Sequence, residues 1–404
     1  MTIIKMAWRN LWRNPKRTAI TGSAIAIGLA TMIFYLGWMG GMTLHLVHTM
    51  TSSQLGYAQI HADGYLSSRE PELTIKKPAD ILERLKSRKG VIGAAPRIYG
   101  DGLLAIGDRS TNVTCIGYEE AQEKLVSGWS ENLTSGGLPA GEREILVGVD
   151  LAEKLEIEVG SKVVLTIADI YTGDLNYILV KIAGILATNN PVIDKQAALM
   201  GLSPLQKALG IGDDIHEVAL SLDVSPTDLE GIKWIIAPFN TAKTTAKPWQ
   251  ELVPVVANMV KLQSIYMGIT LVIVFTLIAF GIVNTLSMSL LERMKEFGVL
   301  RALGTTPLRL AALVICEGAW LGVVGSSLGL FLGLIVHFIL SKTGITMGNA
   351  EAMGVTFRSP IYPILDPTGI AVVTALFITL TPLVSLIVAK KAEKVDPIKA
   401  LRHE

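Results

Sequence analysis

Four stretches of this chain contain no Asp, Glu, Lys or Arg: residues 18–62, 262–291, 318–341 and 367–389. Nothing else in the sequence restricts the fold as strongly. A run of about 20 apolar residues crosses a hydrocarbon core of about 30 Å, and in lipid it must satisfy its own backbone as a helix. Each stretch holds such a run, and transmembrane helices are expected at residues 18–43, 263–290, 309–340 and 368–389. Only 18% of the 404 residues are charged, against about 25% in a soluble domain, and the shortfall sits in these stretches.

The basic residues orient the spans. Lys5, Arg9, Arg13, Lys16 and Arg17 precede the first span with no acid among them. Arg293, Lys295, Arg301 and Arg309 fall around the 291–308 loop, and Lys390, Lys391, Lys394, Lys399 and Arg402 follow the last span. Residues 341–367 carry only Lys342 and Arg358. The positive-inside rule puts both termini (residues 1–17 and 390–404) and the 291–308 loop in the cytoplasm, and residues 44–262 and 341–367 outside it. The first apolar run is too long for a signal peptide and ends in no small-residue cleavage site, so an uncleaved anchor is expected. A net charge of +1 without a dense basic stripe argues against a nucleic-acid partner. Cys115 falls in the outer block and Cys316 in a span, so the outer block is expected to fold without a disulfide.

Residues 44–262 form one block long enough for its own core. Strands are expected at 58–62, 103–106, 112–116, 144–147, 162–168, 177–186 and 217–222, and helices at 78–88, 149–155 and 228–237. This is an α+β pattern, inserted between the first and second spans. Its flanks, 38–56 and 250–266, are apolar and helix-compatible, and would continue the spans as a stalk or act as linkers. No G-x-x-x-x-G-K-[ST] phosphate loop occurs. Gly325, Gly329 and Gly333 recur every four residues, as do Gly22, Ala26 and Ala30, a spacing that permits close helix approach in lipid. His45, His48 and His61 are spread over a flank and a strand, and no metal set is expected of them. No nucleophile–base or paired-carboxylate arrangement can be assembled, so the chain is not read as an enzyme.

The most informative segment joins the second and third spans. Leu290, Met294, Phe297 and Leu300 line one helical face, with Glu292, Lys295 and Glu296 elsewhere around it. Such a helix can rest on a membrane surface and present charges to a soluble partner. Glu317 follows near the inner end of the third span, where an ionisable group is costly; a structural role is expected ahead of a proton relay.

The run Asn284, Glu292-Arg293, Glu296-Phe297-Gly298, Arg301-Ala302-Leu303-Gly304 and Glu317 resembles the permeases of the FtsX/MacB superfamily, the membrane subunits of type VII ABC transporters. Residues 7–14 (AWRNLWRN) look like the family's N-terminal amphipathic helix, and residues 396–402 (DPIKALR) like its terminal tail. In the outer block, residues 56–61 (GYAQIH), 144–152 (EILVGVDLA), 158–163 (EVGSKV), 182–186 and Ile193-Asp194 resemble the LolC/LolE-type lipoprotein-releasing permeases, and the block itself a MacB-like periplasmic core domain.

The resemblance implies a non-enzymatic permease subunit of the inner membrane, with its large domain in the periplasm. ATP and magnesium would be bound by separate cytosolic ATPase subunits, with no cofactor in this chain. A second permease subunit, identical or paralogous, would complete a dimer. Mechanotransmission would pass ATPase motion through Glu292, Arg293, Glu296, Phe297, Arg301, Leu303 and Gly304. The expected cargo is a lipoprotein handed to a periplasmic carrier, its acyl chains meeting Met32, Leu36, Met39, Met267, Leu271 and Phe280. Two alternatives stay open: a MacB-like exporter of peptides or small amphiphiles, and a signalling permease that regulates a cell-wall hydrolase.

Overall fold

The computed structural model describes residues 2–348, 350–352, 355–357 and 359–393. Arg358, Lys394 and the tail motif at 396–402 lie outside the described residues. The chain opens with α1 (Thr2–Arg13) and α2 (Pro15–Met50). The strands that follow are β1 (Ala58–Ala62), β2 (Val91–Ile106), β3 (Arg109–Tyr118), β4 (Leu133–Gly136), β5 (Glu144–Gly148), β6 (Lys162–Ala168), β7 (Leu175–Leu186), β8 (Ala197–Gly201), β9 (Glu217–Leu222) and β10 (Thr244–Pro248). Interleaved with them are short helices α3 (Tyr65–Ser68), α4 (Pro78–Lys86), α5 (Glu120–Glu123), α6 (Val149–Leu155), α7 (Pro191–Gln196), α8 (Leu202–Leu209), α9 (Leu229–Ile236) and α10 (Trp249–Leu252). Long helices return as α11 (Pro254–Glu292), the short α12 (Met294–Ala302), α13 (Pro307–Thr343) and α14 (Pro367–Glu393), with a small hairpin, β11 (Ala350–Ala352) and β12 (Val355–Phe357), before the last.

The contacts divide into two compact units: a helical one drawing on the chain up to Thr43, Val260–Ile345 and the chain from Pro360, and a second of Leu44–Met259 with Thr346–Ser359. Four helices, α2, α11, α13 and α14, are long and apolar enough to cross a membrane. Both flanks of the inserted block are largely helical: α2 runs on to Met50 and α11 starts at Pro254.

In lipid, helices gain no hydrophobic free energy by touching, so close packing of small residues must hold them. The two small-residue rows seen in the sequence meet one another. A Cβ added at Gly325, Gly329 or Gly333 of α13 would run into Ile25, Ala26 with Leu29, or Ala30 with Ile33 of α2. On another face of α13, Gly318 and Gly322 leave room for Ser385 and Thr381 of α14. Pro382 lies inside α14 and cannot donate to the Ile378 carbonyl; the Thr381 hydroxyl donates to it instead at 3.3 Å. The core of the unit takes Ile278, Ile282, Leu286 and Leu290 from α11, one stripe at four-residue spacing, together with Ile25, Leu29, Phe297, Leu310, Val314 and Phe377.

The second unit carries a ten-stranded mixed sheet in the order β10-β1-β9-β2-β3-β8-β5-β7-β4, with β6 paired to both β2 and β7. β3–β8 and β5–β7 are parallel. β1 lies between β9 and β10 and is buried along its whole length. β2 is 16 residues long, far beyond the 103–106 read from sequence. Gly93, Gly100 and Gly102 look like breaks, yet each sits where a side chain would collide with Leu125, Leu209 or the Thr166 carbonyl. Close approach, not a turn, explains them.

Candidate functional site

α12 is a separate helix for local reasons. Arg293, at φ −105° and ψ 14°, interrupts the helical path after α11. At the other end Gly304 adopts φ +89°, a conformation open to glycine, and the Thr305 N–H reaches back to the Leu300 carbonyl at 3.0 Å, closing the helix as a Schellman turn does. Pro307 then starts α13 at a position where its missing N–H costs nothing. The apolar face read from sequence is real, but it anchors α12 to the bundle core. Phe297 is 1% exposed, Leu290 is buried, and Met294 and Leu300 pack against the same cluster.

The charges of this segment are engaged by α1, α2 and α13. Arg13 of α1 donates to Glu296, and Arg17 of α2 to Glu292. Arg293 spans the middle, with Nε to Glu296 Oε2 at 3.1 Å and Nη1 to Glu317 Oε1 at 2.8 Å. Its guanidinium lies 5.2 Å from the Phe297 ring. Asn10 Nδ2 donates to the same Glu317 oxygen at 2.7 Å. Arg13 and Arg293 hold the Glu296 carboxyl below the usual carboxylate range. α1 docks through buried Ala7 and Leu11, and Trp8 meets Trp320 of α13 edge-on at 4.8 Å. Thus Glu292, Arg293 and Glu296, expected to face a soluble partner, are paired internally. Arg13, Arg17 and Asn10 complete the set. The positive charge of Arg13 and Arg17 was legible before the first span, but which acids they meet depends on a fold that joins residues nearly 300 apart.

What remains outward is apolar and basic. Leu303 is 78% exposed, and Val299 and Leu308 are exposed with it. Lys295 and Arg309 are exposed, and Arg301 Nη1 is buried without a hydrogen-bond partner among the described residues.

The residues expected to meet acyl chains do not form one surface. Met32 is 2% exposed, inside the bundle core, and Leu36, Met267 and Leu271 pack against it. Gln263 bonds to the Met39 carbonyl and Thr21 to Thr285, which sets α2 and α11 antiparallel. Phe280, exposed, therefore lies about 20 Å along α11 from Met267 at 1.5 Å per residue, and it does not join the others. One open apolar space is a groove of about 360 Å³ between α2 and α11, lined by Ile20, Ala24, Ile27, Val274, Leu277 and Gly281, and another of about 530 Å³ lies between α13 and α14 beside Leu330, Leu334 and Ile370. The α2–α11 groove was not legible in the sequence, because it depends on which faces of two uniformly apolar helices turn together.

In the second unit, a polar cluster lies beside a cavity of about 700 Å³ whose lining includes Gln59, His61, Tyr65, Tyr99 and Glu217. Fully buried Arg97 donates to Glu123 (3.0 and 2.5 Å) and to Glu217 (3.0 Å), and the Tyr99 hydroxyl donates to Glu217 at 3.1 Å. Burial pushes Glu217 up to about 7 against the pull of Arg97. Burial pushes His61 down to about 4. His216 Nδ1 accepts the Tyr99 N–H at 3.0 Å while Nε2 faces the Pro71 carbonyl at 2.8 Å, so a neutral ring with its proton on Nε2 satisfies both. Among the described residues no three His, Cys, Asp or Glu are arranged to hold a metal ion. Cys115 is buried, its thiol pushed up to about 12, and both cysteines are free.

Comparison with known proteins adds sequence relatives. The profile of the MacB-like periplasmic core domain matches residues 18–230, and that of the FtsX-like permease C-terminal region matches 268–394. The lipoprotein-releasing system transmembrane protein LolC of Neisseria meningitidis is 23% identical over 404 aligned residues, covering 96% of this chain and 94% of LolC. LolE of Haemophilus influenzae is 24% identical, covering 93% and 92%. The macrolide export ATP-binding/permease protein MacB of Chlorobium luteolum is 22% identical, covering 99% of this chain and 60% of MacB. Among solved structures, the periplasmic region of MacB from Actinobacillus actinomycetemcomitans aligns with 50% of this chain and 92% of its own, at 14% identity and a TM-score of 0.36.

Proposed function

The chain belongs to the FtsX/MacB family of ABC transporter permeases, with a MacB-like periplasmic core domain inserted between its first two membrane helices, and from that premise we propose that it is the permease subunit of a lipoprotein-releasing transporter. One observation carries the reading: α12 is anchored by Phe297 and by its ion pairs, yet Val299 on it, Leu303 at its end and Leu308 at the start of α13 face outward. A rigidly held helix with apolar side chains grouped at its tip suits a groove on a cytosolic ATPase. That ATPase would bind ATP and magnesium, and its closure would push α12. Leu303 and Arg301 then make the contact, Phe297 and Gly304 hold the helix in shape, and Glu292, Arg293 and Glu296 transmit the push to α1, α2 and α13. A second permease subunit would complete the dimer, with the termini in the cytoplasm and the large domain in the periplasm. Acyl chains of the cargo would lie along α2 and α11, at the groove near Leu277 or around Leu36, Met39 and Met267, before transfer to a carrier.

The similarity to MacB over nearly all of this chain favours a second reading, export of an amphiphile by the same machinery. Purification in native lipids, with identification of bound acylated proteins, separates the two. Lipoprotein in the complex supports release; its absence together with a periplasmic adaptor supports export. For the ATPase contact, Leu303→Asp should lower co-purified ATPase about tenfold or more, as loss of a central anchor worth about 2 kcal/mol does. Undiminished ATPase in a correctly inserted Leu303→Asp variant would overturn the docking assignment.

A further inference from the structure

We propose that Glu317 is the positioning residue of the coupling segment, fixing α12 to α1 and α13 through one buried carboxylate oxygen. The proposal deepens the reading of α12 as the ATPase-docking helix and rests on it. Three elements converge on Glu317 Oε1: Asn10 from α1 at 2.7 Å, Arg293 from the α11–α12 bend at 2.8 Å, and α13 itself, which carries the glutamate. The Glu317 and Arg293 side chains are 9% and 11% exposed. Glu292 and Glu296, the other acids of the cluster, are 41% and 44% exposed.

That difference decides which contact matters. Ion pairs open to water are screened and contribute little. A charge held from water loses far more when its partner goes, because it is left unpaired in a poor solvent. Arg293 is also the residue whose backbone makes the bend. With Nη1 on Glu317, Nε on Glu296 and the guanidinium beside Phe297, the angle between α11 and α12 cannot change without breaking the buried bond. A push on α12 then moves α1 and α13 with it. Without Glu317, α12 keeps its helix and its Phe297 anchor, but it is tied to α1 only by exposed contacts and can swing at the bend.

The test uses the full chain in nanodiscs, with nitroxide labels at Lys5→Cys and Lys295→Cys in a Cys316→Ser background. Labelled chain is diluted with unlabelled chain so that intrachain distances dominate. A second pair, Phe338→Cys and Val372→Cys, reports on α13 and α14. The parent chain should give one narrow distance for the first pair. Glu317→Gln should broaden it and leave the second pair narrow, and Arg293→Gln should do the same. The double variant should match either single one, since residues acting through each other are not additive. Where an ATPase co-purifies with the parent, Glu317→Gln should retain it but lose the response of its hydrolysis rate to added cargo. A first pair that stays narrow overturns the proposal. Broadening of both pairs makes Glu317 a general folding residue, and additive single effects remove Arg293 as its partner. Absence of any ATPase from the parent complex would count against the docking reading, while the distances would still judge the latch.

Discussion

His216 fits its site in one charge state, since a second ring proton would face the Tyr99 N–H it now accepts. Burial lowers its pKa, and that of His61 to about 4. A histidine whose folded pKa is depressed supplies stability above its unfolded pKa of about 6.5, and loses it as the pH falls toward the folded value. Glu217 works in the opposite sense. Raised to about 7, it supplies stability below its unfolded value and loses it as the pH rises through 7. Between pH 5 and 7 the two contributions oppose one another. Glu217→Gln should therefore expose a loss of roughly 1–3 kcal/mol on acidification from pH 7 to 5 that the parent chain masks. The unfolding midpoint of the large domain at the two pH values measures it, and an equally flat profile in the variant would refute the coupling. Arg97 is harder to replace. Arg97→Met strands two buried carboxylates, Glu123 and Glu217, and should cost about 3–5 kcal/mol; adding Glu123→Gln and Glu217→Gln should recover part of that.

At the scale of elements, two glycines give contrasting tests. A Cβ at Gly304 would meet nothing within 4 Å, so Gly304→Ala bears only the backbone cost of its left-handed conformation, about 1–2 kcal/mol. Faster hydrogen exchange confined to α12 should report it. Gly329 has acceptable backbone geometry but no room: a Cβ would press on Ala26 and Leu29. Gly329→Ile should push α13 from α2 at a cost of about 1–3 kcal/mol, seen as a lower thermal midpoint. Gly268→Ala, with open space around it, should be neutral or slightly stabilising and serves as control. The sequence revealed the small-residue rows and the apolar stripe of α12, since spacing alone carries those. It misjudged what the stripe packs against, and it missed β4, β8, β10 and most of β2. Partners distant in the chain make those strands, and Gly93, Gly100 and Gly102 look like turns until Leu125, Leu209 and the Thr166 carbonyl are seen to crowd them in that order.

For the whole molecule, the spans were legible because lipid imposes a composition that water does not. The coupling residues were legible as a motif, but the pairing of Arg13 and Arg17 with Glu296 and Glu292 is a tertiary fact. The proposed orientation can be tested with cysteines at Gly137 or Gly141, which are exposed with open space around them; buried Cys115 should stay silent. A membrane-impermeant maleimide should label both on spheroplasts, and labelling only after lysis would reverse the topology. The seating of β1 between β9 and β10 also has a bearing on biogenesis. Ala58 pairs with Leu220 and Pro248, so one of the first strands made must wait for the last. At about 5–20 residues per second of synthesis, the interval of roughly 190 residues lasts about 10–40 s. Such high contact order slows closure further. For that time the nascent domain has a completed first span and an unpaired strand with Ala58, Ile60 and Ala62 on one face and no neighbours to pair its backbone, which makes it a client for a holding chaperone during translation.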